Sequence, residues 1–168
     1  TGSTEWEQRS PLGKGGGNSF PGQPTPKPDP TSAFAGTKVM GNDLTGTTPS
    51  IGNYESNQDA IATSPAINCS DAVNVTLQFA RWLNVIPQDI ASVEISNNGT
   101  TWTTIYTDND GNESTSWTLL SYDVGAIADR SPNFRVRFRV VSDQVITGSG
   151  WNVDDLRLLG VTRNSCQP

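Results

Sequence analysis

Two stretches of this sequence alternate strictly between apolar and polar residues, and this pattern constrains the fold more than any other feature. Every odd-numbered residue in 73–79 is apolar and every even-numbered one is polar, and the same rhythm recurs in 134–140, where arginines fill the polar positions. Successive side chains of a β-strand point to opposite faces, so each stretch predicts a strand with one buried and one solvated face.

Weaker signals extend the β pattern along the chain. Asn97-Asn98-Gly99 lies between two short apolar-rich runs and predicts a hairpin turn. Further strands are predicted at 93–95, 102–106, 117–123 and 151–159, with shorter ones at 38–40 and 60–67. Residues 124–128 allow at most one helical turn. Many short strands separated by turns are typical of an antiparallel all-β sandwich.

The composition changes sharply near Ala33. Residues 11–30 are dominated by glycine and by a Pro-x-Pro rhythm that favours extended polyproline II geometry. We therefore divide the chain into an extended Gly/Pro-rich segment, residues 1–33, and a β-sandwich, residues 34–168. Such a segment cannot bury enough apolar area to order itself, so it must pack either on its own domain or, as an inter-subunit arm, on a neighbouring subunit.

Composition also excludes several classes of function. The sequence contains no histidine, which excludes Ser-His-Asp and Cys-His catalysis and histidine-liganded zinc. The formal net charge of −6 argues against nucleic acid or an anionic membrane as the main partner. No apolar run reaches the 18 residues that a membrane span needs. The adjacent carboxylates of Asp154 and Asp155 diverge, which is the wrong geometry for glycoside hydrolysis, so we predict that the chain is not an enzyme.

The two cysteines, Cys69 and Cys166, have neither CxxC spacing nor histidine nearby. We interpret them as one disulfide, which implies an oxidising compartment; two buried thiols are the alternative. The chain begins at Thr1 and has no apolar leader. This fits an extracellular or cell-surface protein after removal of a signal peptide, although the first residues are also compatible with an expression remnant.

Several phrases, in their order along the chain, resemble one family. They are Trp6-Glu7, Pro28 to Ala33, GTKVMGNDL at 36–44, Tyr54, Ser64 to Ile67, VTLQFARWL at 75–83, Val93 to Ser96 with Trp102, and the closing Gly150 to Leu156. Together they resemble the MAM-like jelly-roll domains appended to bacterial secreted and surface proteins, including those that follow immune-inhibitor-A-type metallopeptidases. The resemblance implies a jelly-roll sandwich that is non-catalytic and serves as an accessory or adhesive module, in many cases stabilised by calcium.

A structural calcium ion is the predicted cofactor. Asp154 and Asp155 lie inside an otherwise apolar strand, so one carboxylate should point inward and needs a cation or hydrogen-bond donors. Calcium suits such an oxygen site, and the resemblance favours Asp154 as the ligand. The candidate co-ligands, all within the quoted phrases, are Glu7, Asp29, Asn42 and Asp43. The alternative is a carboxylate paired with an arginine or capped by backbone N–H groups. The run 108–112 also resembles a calcium loop, but a polar turn is the better interpretation.

Two surface features bear on binding. Trp102 follows the predicted hairpin turn and is a candidate contact for a sugar ring, whereas Trp82, Trp117 and Trp151 lie in strand patterns where the core is the simpler expectation. The arginines of 135–139 form a basic row on one sheet face. They either pair with acidic residues on adjacent strands or meet an acidic neighbouring subunit or polymer.

Four N-x-S/T sequons, at Asn68, Asn74, Asn98 and Asn112, are candidate glycosylation sites, but this number is no more than chance gives. The function predicted from the sequence is an extracellular structural or adhesive module. Its first form is a pilus-like fibre subunit that polymerises head to tail through its N-terminal arm. The alternative is a carbohydrate-binding or accessory module of a secreted protein, with a glycan as partner.

Overall fold

The two stretches that alternate between apolar and polar residues both form strands of antiparallel sheets. The computed structural model describes residues 5–17, 25–45 and 52–162. Its elements are β1 (Trp6–Arg9), β2 (Val39–Asn42), β3 (Asp59–Thr63), β4 (Ala72–Val85), β5 (Ile90–Ser96), β6 (Thr103–Asp108), β7 (Asn112–Glu113), β8 (Thr118–Asp123), α1 (Gly125–Ala128), β9 (Arg135–Val141) and β10 (Gly150–Thr162). The helix is a single turn, so no helix in the described part of the chain is long enough to cross a bilayer.

The strands form two sheets. The larger has the order β1-β2-β10-β4-β7, with β8 also paired to β4, and the smaller has the order β3-β9-β5-β6. All pairings between these strands are antiparallel. The all-β jelly-roll sandwich predicted from the sequence is confirmed. The hairpin at 97–99 joins β5 to β6 as expected, and α1 is the one helical turn allowed at 124–128.

The core lies between the two sheets and is rich in aromatic rings. Phe79 of β4, Phe138 of β9 and Trp151 of β10 meet edge to face, with centroids 5.2 to 6.5 Å apart. All three are essentially inaccessible to solvent. In each strand these residues occupy the apolar positions of the alternation, so the two-residue period correctly predicts the face that is buried.

The N-terminal segment lies on the sandwich of its own chain. Strand β1 pairs with β2 from Trp6↔Asn42 to Arg9↔Val39, so residues assigned to a separate arm form the edge of the larger sheet. Residues 13–17 and 26–30 then pair with each other, through Gly13 N to Pro30 O (3.0 Å) and Asp29 N to Lys14 O (2.7 Å). The structure therefore differs from the predicted boundary at residue 33, because part of the N-terminal segment is a strand of the sandwich.

Two tryptophans attach this segment to the outer face of the larger sheet. The indole N–H of Trp82 donates to Pro28 O (3.1 Å) and that of Trp117 donates to Ser32 O (3.1 Å). The two rings meet edge to face, and Phe34 packs against Trp117. The simple expectation of a core position therefore holds for Trp151, whereas Trp82 and Trp117 lie on the opposite side of their sheet.

If the segment packs on its own chain, replacing Trp82 by phenylalanine should weaken folding in a concentration-independent way. The variant loses one hydrogen bond and keeps an aromatic ring, so we expect the free energy of unfolding to fall by about 0.5–1.5 kcal/mol. Thermal melts of native protein and variant across a hundredfold range of protein concentration check this. A melting temperature that rises with concentration would instead show packing between subunits.

Candidate functional site

A cluster of polar side chains, which we call the Asp29 pocket, is buried where the N-terminal segment covers the larger sheet. Asp29 is 2% exposed, and its Oδ1 accepts a hydrogen bond from Nδ2 of Asn152. Its other oxygen, Oδ2, has no hydrogen-bond donor, and neither have the buried side-chain oxygens of Asn152 and Asn84. Burial raises the pKa of Asp29 from 3.8 to about 8. Acceptors left without donors in the interior are costly, so this pocket calls for a proton or a cation.

Three parts of the fold deliver these side chains. Asp29 lies on the returning segment, held by its backbone bond to Lys14. Asn152 stands on β10 next to the core residue Trp151 and points to the opposite face. Asn84, near the end of β4, donates from Nδ2 to Pro28 O (3.0 Å) and to Ser149 Oγ (3.1 Å). The pocket therefore exists only when the segment covers β4 and β10.

Two predicted ligands lie at the same end of the sheet. Asp43 is 5% exposed, adopts a positive φ of 39°, and accepts a hydrogen bond from Gly52 N at 3.0 Å. Its negative charge contributes to raising the pKa of Asp29. Asn42 is fully buried, and its Oδ1 accepts a hydrogen bond from Trp151 N at 3.0 Å.

The other three predicted ligands are engaged elsewhere. Glu7 Oε1 accepts a hydrogen bond from the Thr45 hydroxyl at 2.6 Å. The carboxylate of Asp154 caps the backbone N–H groups of Ala35 (2.9 Å) and Asp155 (2.7 Å). Asp155 forms an ion pair with Arg157 at 2.7 Å.

The expected inward carboxylate on β10 is absent from the described structure, which is a correction to the sequence analysis. The register of β10 against β4 shifts between Asp154 and Arg157, and Asp155 has a φ of 52°. This bulge breaks the alternation, so both carboxylates stay half-exposed and obtain the arginine and N–H partners of the alternative interpretation. Among the described residues, no three His, Cys, Asp or Glu side chains cluster at metal-binding distance, so a cation at Asp29 would need amide oxygens as well.

The outward face of the smaller sheet carries an open groove of about 500 Å³. Arg135 and Arg137 of β9 line it together with Trp102 and Asn98 of the β5–β6 hairpin, and Thr63 of β3. The guanidinium of Arg137 lies 4.2 Å above the centre of the Trp102 ring. Trp102 is half-buried at the groove, and one face of its ring is in contact with an arginine.

The basic row on β9 is largely paired across strands. Arg139 makes a two-point contact with Asp59 of β3, at 2.6 and 2.8 Å, which lowers the pKa of Asp59. Arg137 pairs with Glu94 of β5, directly opposite in register. The carboxylates of this face are therefore committed to ion pairs, as the cross-strand interpretation predicts for two of the three arginines.

The disulfide prediction lies partly outside the described residues, because these end at Thr162. Cys69 is 5% exposed. Thr162 is paired opposite Ala72, and Ala72 N donates to the carbonyl of Cys69 at 2.9 Å. The last described residue of β10 therefore lies beside the turn that contains Cys69, and the bond to Cys166 stays a prediction.

The run 108–112 and the four sequons all lie within the described residues. Asp108 Oδ2 accepts hydrogen bonds from Tyr106 and Asn112 across the β6–β7 turn, which fits the polar-turn interpretation of 108–112. Asn68, Asn74 and Asn98 are exposed, while Asn112 is half-buried. Glycosylation stays a prediction.

Sequence reasoning missed the pocket members Asn84 and Asn152. Asn152 lies within 150–156, the same stretch as the predicted ligands Asp154 and Asp155. Including amide oxygens among the candidate metal ligands would have identified it. Asn84 carries no local signal, because its partner Pro28 is 56 residues away in sequence.

Comparisons with known proteins give one local sequence match and several solved structures of low sequence identity. No protein-family profile matches it. It is 30% identical over 135 residues to Bacillopeptidase F of Bacillus subtilis (strain 168), an alignment that covers 79% of this chain but 9% of that protein.

The solved structures that resemble this chain have low sequence identity to it. The K2 cleaved adhesin domain of Lys-gingipain superimposes with a TM-score of 0.46 at 14% identity, covering 76% of this chain and 74% of its own. TmCBM61, solved with β-1,4-galactotriose, gives 0.44 at 10% identity, covering 94% and 90%. The xylan-binding CBM22-2 domain of Paenibacillus barcinonensis Xyn10C gives 0.41 at 9%, covering 94% and 92%.

Proposed function

We propose that this chain is a non-catalytic binding module of an extracellular protein and that its ligand is a glycan held in the groove of the smaller sheet. The observation that carries the proposal is the groove itself, which Trp102 and several polar side chains line. The carboxylates of Glu94 and Asp59 on the same face form ion pairs with arginines. Ligand sites combine aromatic surface with a few placed polar groups in this way. The local similarity to Bacillopeptidase F supports an accessory role within a larger protein.

A carboxylate bound to arginine is a poor general acid or base. Glu94 lies between Arg137 and Arg139, and Asp59 is held at both oxygens by Arg139. Hydrolysis of a glycosidic bond needs one protonated and one free carboxyl group. The ion pairs on this face therefore support binding without turnover.

Replacing Trp102 by alanine should abolish retention on the polysaccharide that the native protein binds. The change removes the ring and also the surface on which Arg137 rests, so we expect at least a tenfold loss of affinity. Affinity electrophoresis against a panel of insoluble and soluble polysaccharides measures this. Trp117→Ala is the matched control, since that ring lies on the other sheet. Absence of saturable binding by the native protein to every polysaccharide would contradict the proposal.

We also propose that calcium occupies the pocket at Asp29 as a structural ion. Asp29 would supply the charged ligand, with the amide oxygens of Asn84 and Asn152 and the carboxylate of Asp43 as further oxygen ligands. Calcium accepts such mixed oxygen sets and would supply the positive charge that the pocket lacks. The ion would fix the N-terminal segment onto β4 and β10. This ligand set shares Asp29 and Asp43 with the one predicted from sequence.

The fibre hypothesis has less support. It rested on an N-terminal arm that needs a neighbouring subunit, whereas the described parts of that segment already pair within the chain. Light scattering of the native protein at high concentration tests it directly, and self-assembly there would restore it.

A further inference from the structure

The three arginines of β9 differ in how their charge is balanced. Arg139 is matched by Asp59, and Arg137 by Glu94. Among the described residues, Arg135 forms no ion pair: its Nη1 donates to the Ser64 carbonyl at 3.5 Å, and its Nε is buried without a hydrogen-bond partner. A backbone carbonyl carries no net charge, so the groove retains the positive charge of Arg135.

The side chain of Arg135 packs against the neighbouring hairpin. Gly99 has a φ of +75°, and a Cβ atom there would lie 3.1 Å from Arg135 Nε, so the Arg135 side chain packs closely against the turn at this glycine. Asn98 of the same turn lines the groove with it. An arginine side chain that lacks a carboxylate partner and lines a ligand groove is the arrangement that recognises an anion.

We propose that the groove selects an acidic polysaccharide, one uronate carboxylate of which pairs with Arg135. This inference rests on the proposed glycan-binding function and specifies its ligand class. The planar guanidinium matches a carboxylate at two points, and the polar groups of Thr63 and Asn98 face the remaining hydroxyls. The net charge of −6 does not oppose this, since at physiological salt charges beyond about 8 Å are largely screened.

The test compares polygalacturonate and alginate, each beside its esterified, uncharged form, by affinity electrophoresis and calorimetry. We expect native protein to bind an acid form at least about tenfold more tightly than its ester, with affinity falling as sodium chloride is raised. Arg135→Gln should remove that preference, and Arg135→Lys should keep a weaker, salt-sensitive one, since lysine retains the charge but not the fork. Lys38→Gln, the same charge change on an exposed residue remote from the groove, should bind like native protein.

The outcomes separate the two proposals. Equal affinity for acid and ester forms, or an unchanged preference in folded Arg135→Gln, overturns the acidic-ligand inference and leaves glycan binding intact. Equally tight binding of poly-glutamate also overturns it and indicates a peptide ligand. If neither these probes nor any neutral polysaccharide binds, both proposals fail. Melting curves of each variant establish that it is folded before binding is compared.

Discussion

Replacing Cys166 by serine should lower the free energy of unfolding by about 4 to 5 kcal/mol. A bond from Cys69 to Cys166 closes a loop of roughly 100 residues, and constraining so long a loop in the unfolded chain gives a stabilisation of this size. The pairing of Thr162 with Ala72 places the end of β10 beside the turn that contains Cys69. Denaturant unfolding of native and variant protein measures the difference.

Cys69→Ala is a less suitable variant, because Cys69 is buried and its removal also costs packing. The matched comparison is therefore native protein with and without reductant beside Cys166→Ser with and without reductant. Reductant should destabilise only the native protein. Intact mass after alkylation without reductant should show no modified cysteine, and two alkylated thiols would end the hypothesis.

Calcium should raise the free energy of unfolding by about 2.7 kcal/mol when its free concentration is a hundredfold above Kd, or roughly 5 to 10 °C in Tm for a chain of this size. The gain should be larger at pH 8 than at pH 5, because calcium must displace the proton that the buried Asp29 holds with a pKa of about 8. Calorimetry in calcium and in excess chelator at both pH values measures it.

The pH dependence of the metal-free protein has a definite sign. The pKa of Asp29 is raised from 3.8 to about 8 in the folded state, so the folded protein keeps a proton that the unfolded chain releases. The contribution of this group to stability is therefore fully present below pH 4 and is lost progressively as the pH rises to 8. Asp29→Asn should remove both this dependence and the calcium response.

Asp154→Asn distinguishes the two ligand sets. The structure commits Asp154 to the N–H groups of Ala35 and Asp155, so this variant should lose some stability but keep its calcium response. If Asp154→Asn loses the response and Asp29→Asn keeps it, the ligand assigned from sequence is right and the pocket is not the metal site. Asp71→Asn, an exposed carboxylate, is the control for net charge.

The sequence predicted the parts of this fold that depend on local periodicity. Phe79, Phe138 and Trp151 were assigned to the core because strands alternate, and nothing in their surroundings disturbs that rule. The alternation fails at Asp155, because a bulge shifts the register of β10 and no residue pattern before it predicts the bulge.

Long-range packing accounts for the remaining differences. Trp82 and Trp117 have the sequence signature of core residues, yet they lie under residues 28–35, a segment whose own composition gives no sign of where it packs. The pocket around Asp29 also depends on long-range packing. The side chains of Asn84 and Asn152 meet Asp29 only when the N-terminal segment covers β4 and β10. By contrast, the position of Trp102 beside a hairpin turn is a local property that the sequence predicts, and its role in binding stays a proposal.

The indole N–H groups of four tryptophans offer the most direct test of the proposed binding groove. Two of them, Trp82 and Trp117, report on the outer face of the larger sheet, Trp151 reports on the core, and Trp102 reports on the groove. Titration of ¹⁵N-labelled protein with the polysaccharide fragment it binds should shift the Trp102 signal and the Nε–H signals of Arg135 and Arg137, and leave Trp82, Trp117 and Trp151 unchanged. Shifts confined to Trp82 and Trp117 would contradict the account and place the ligand on the opposite sheet.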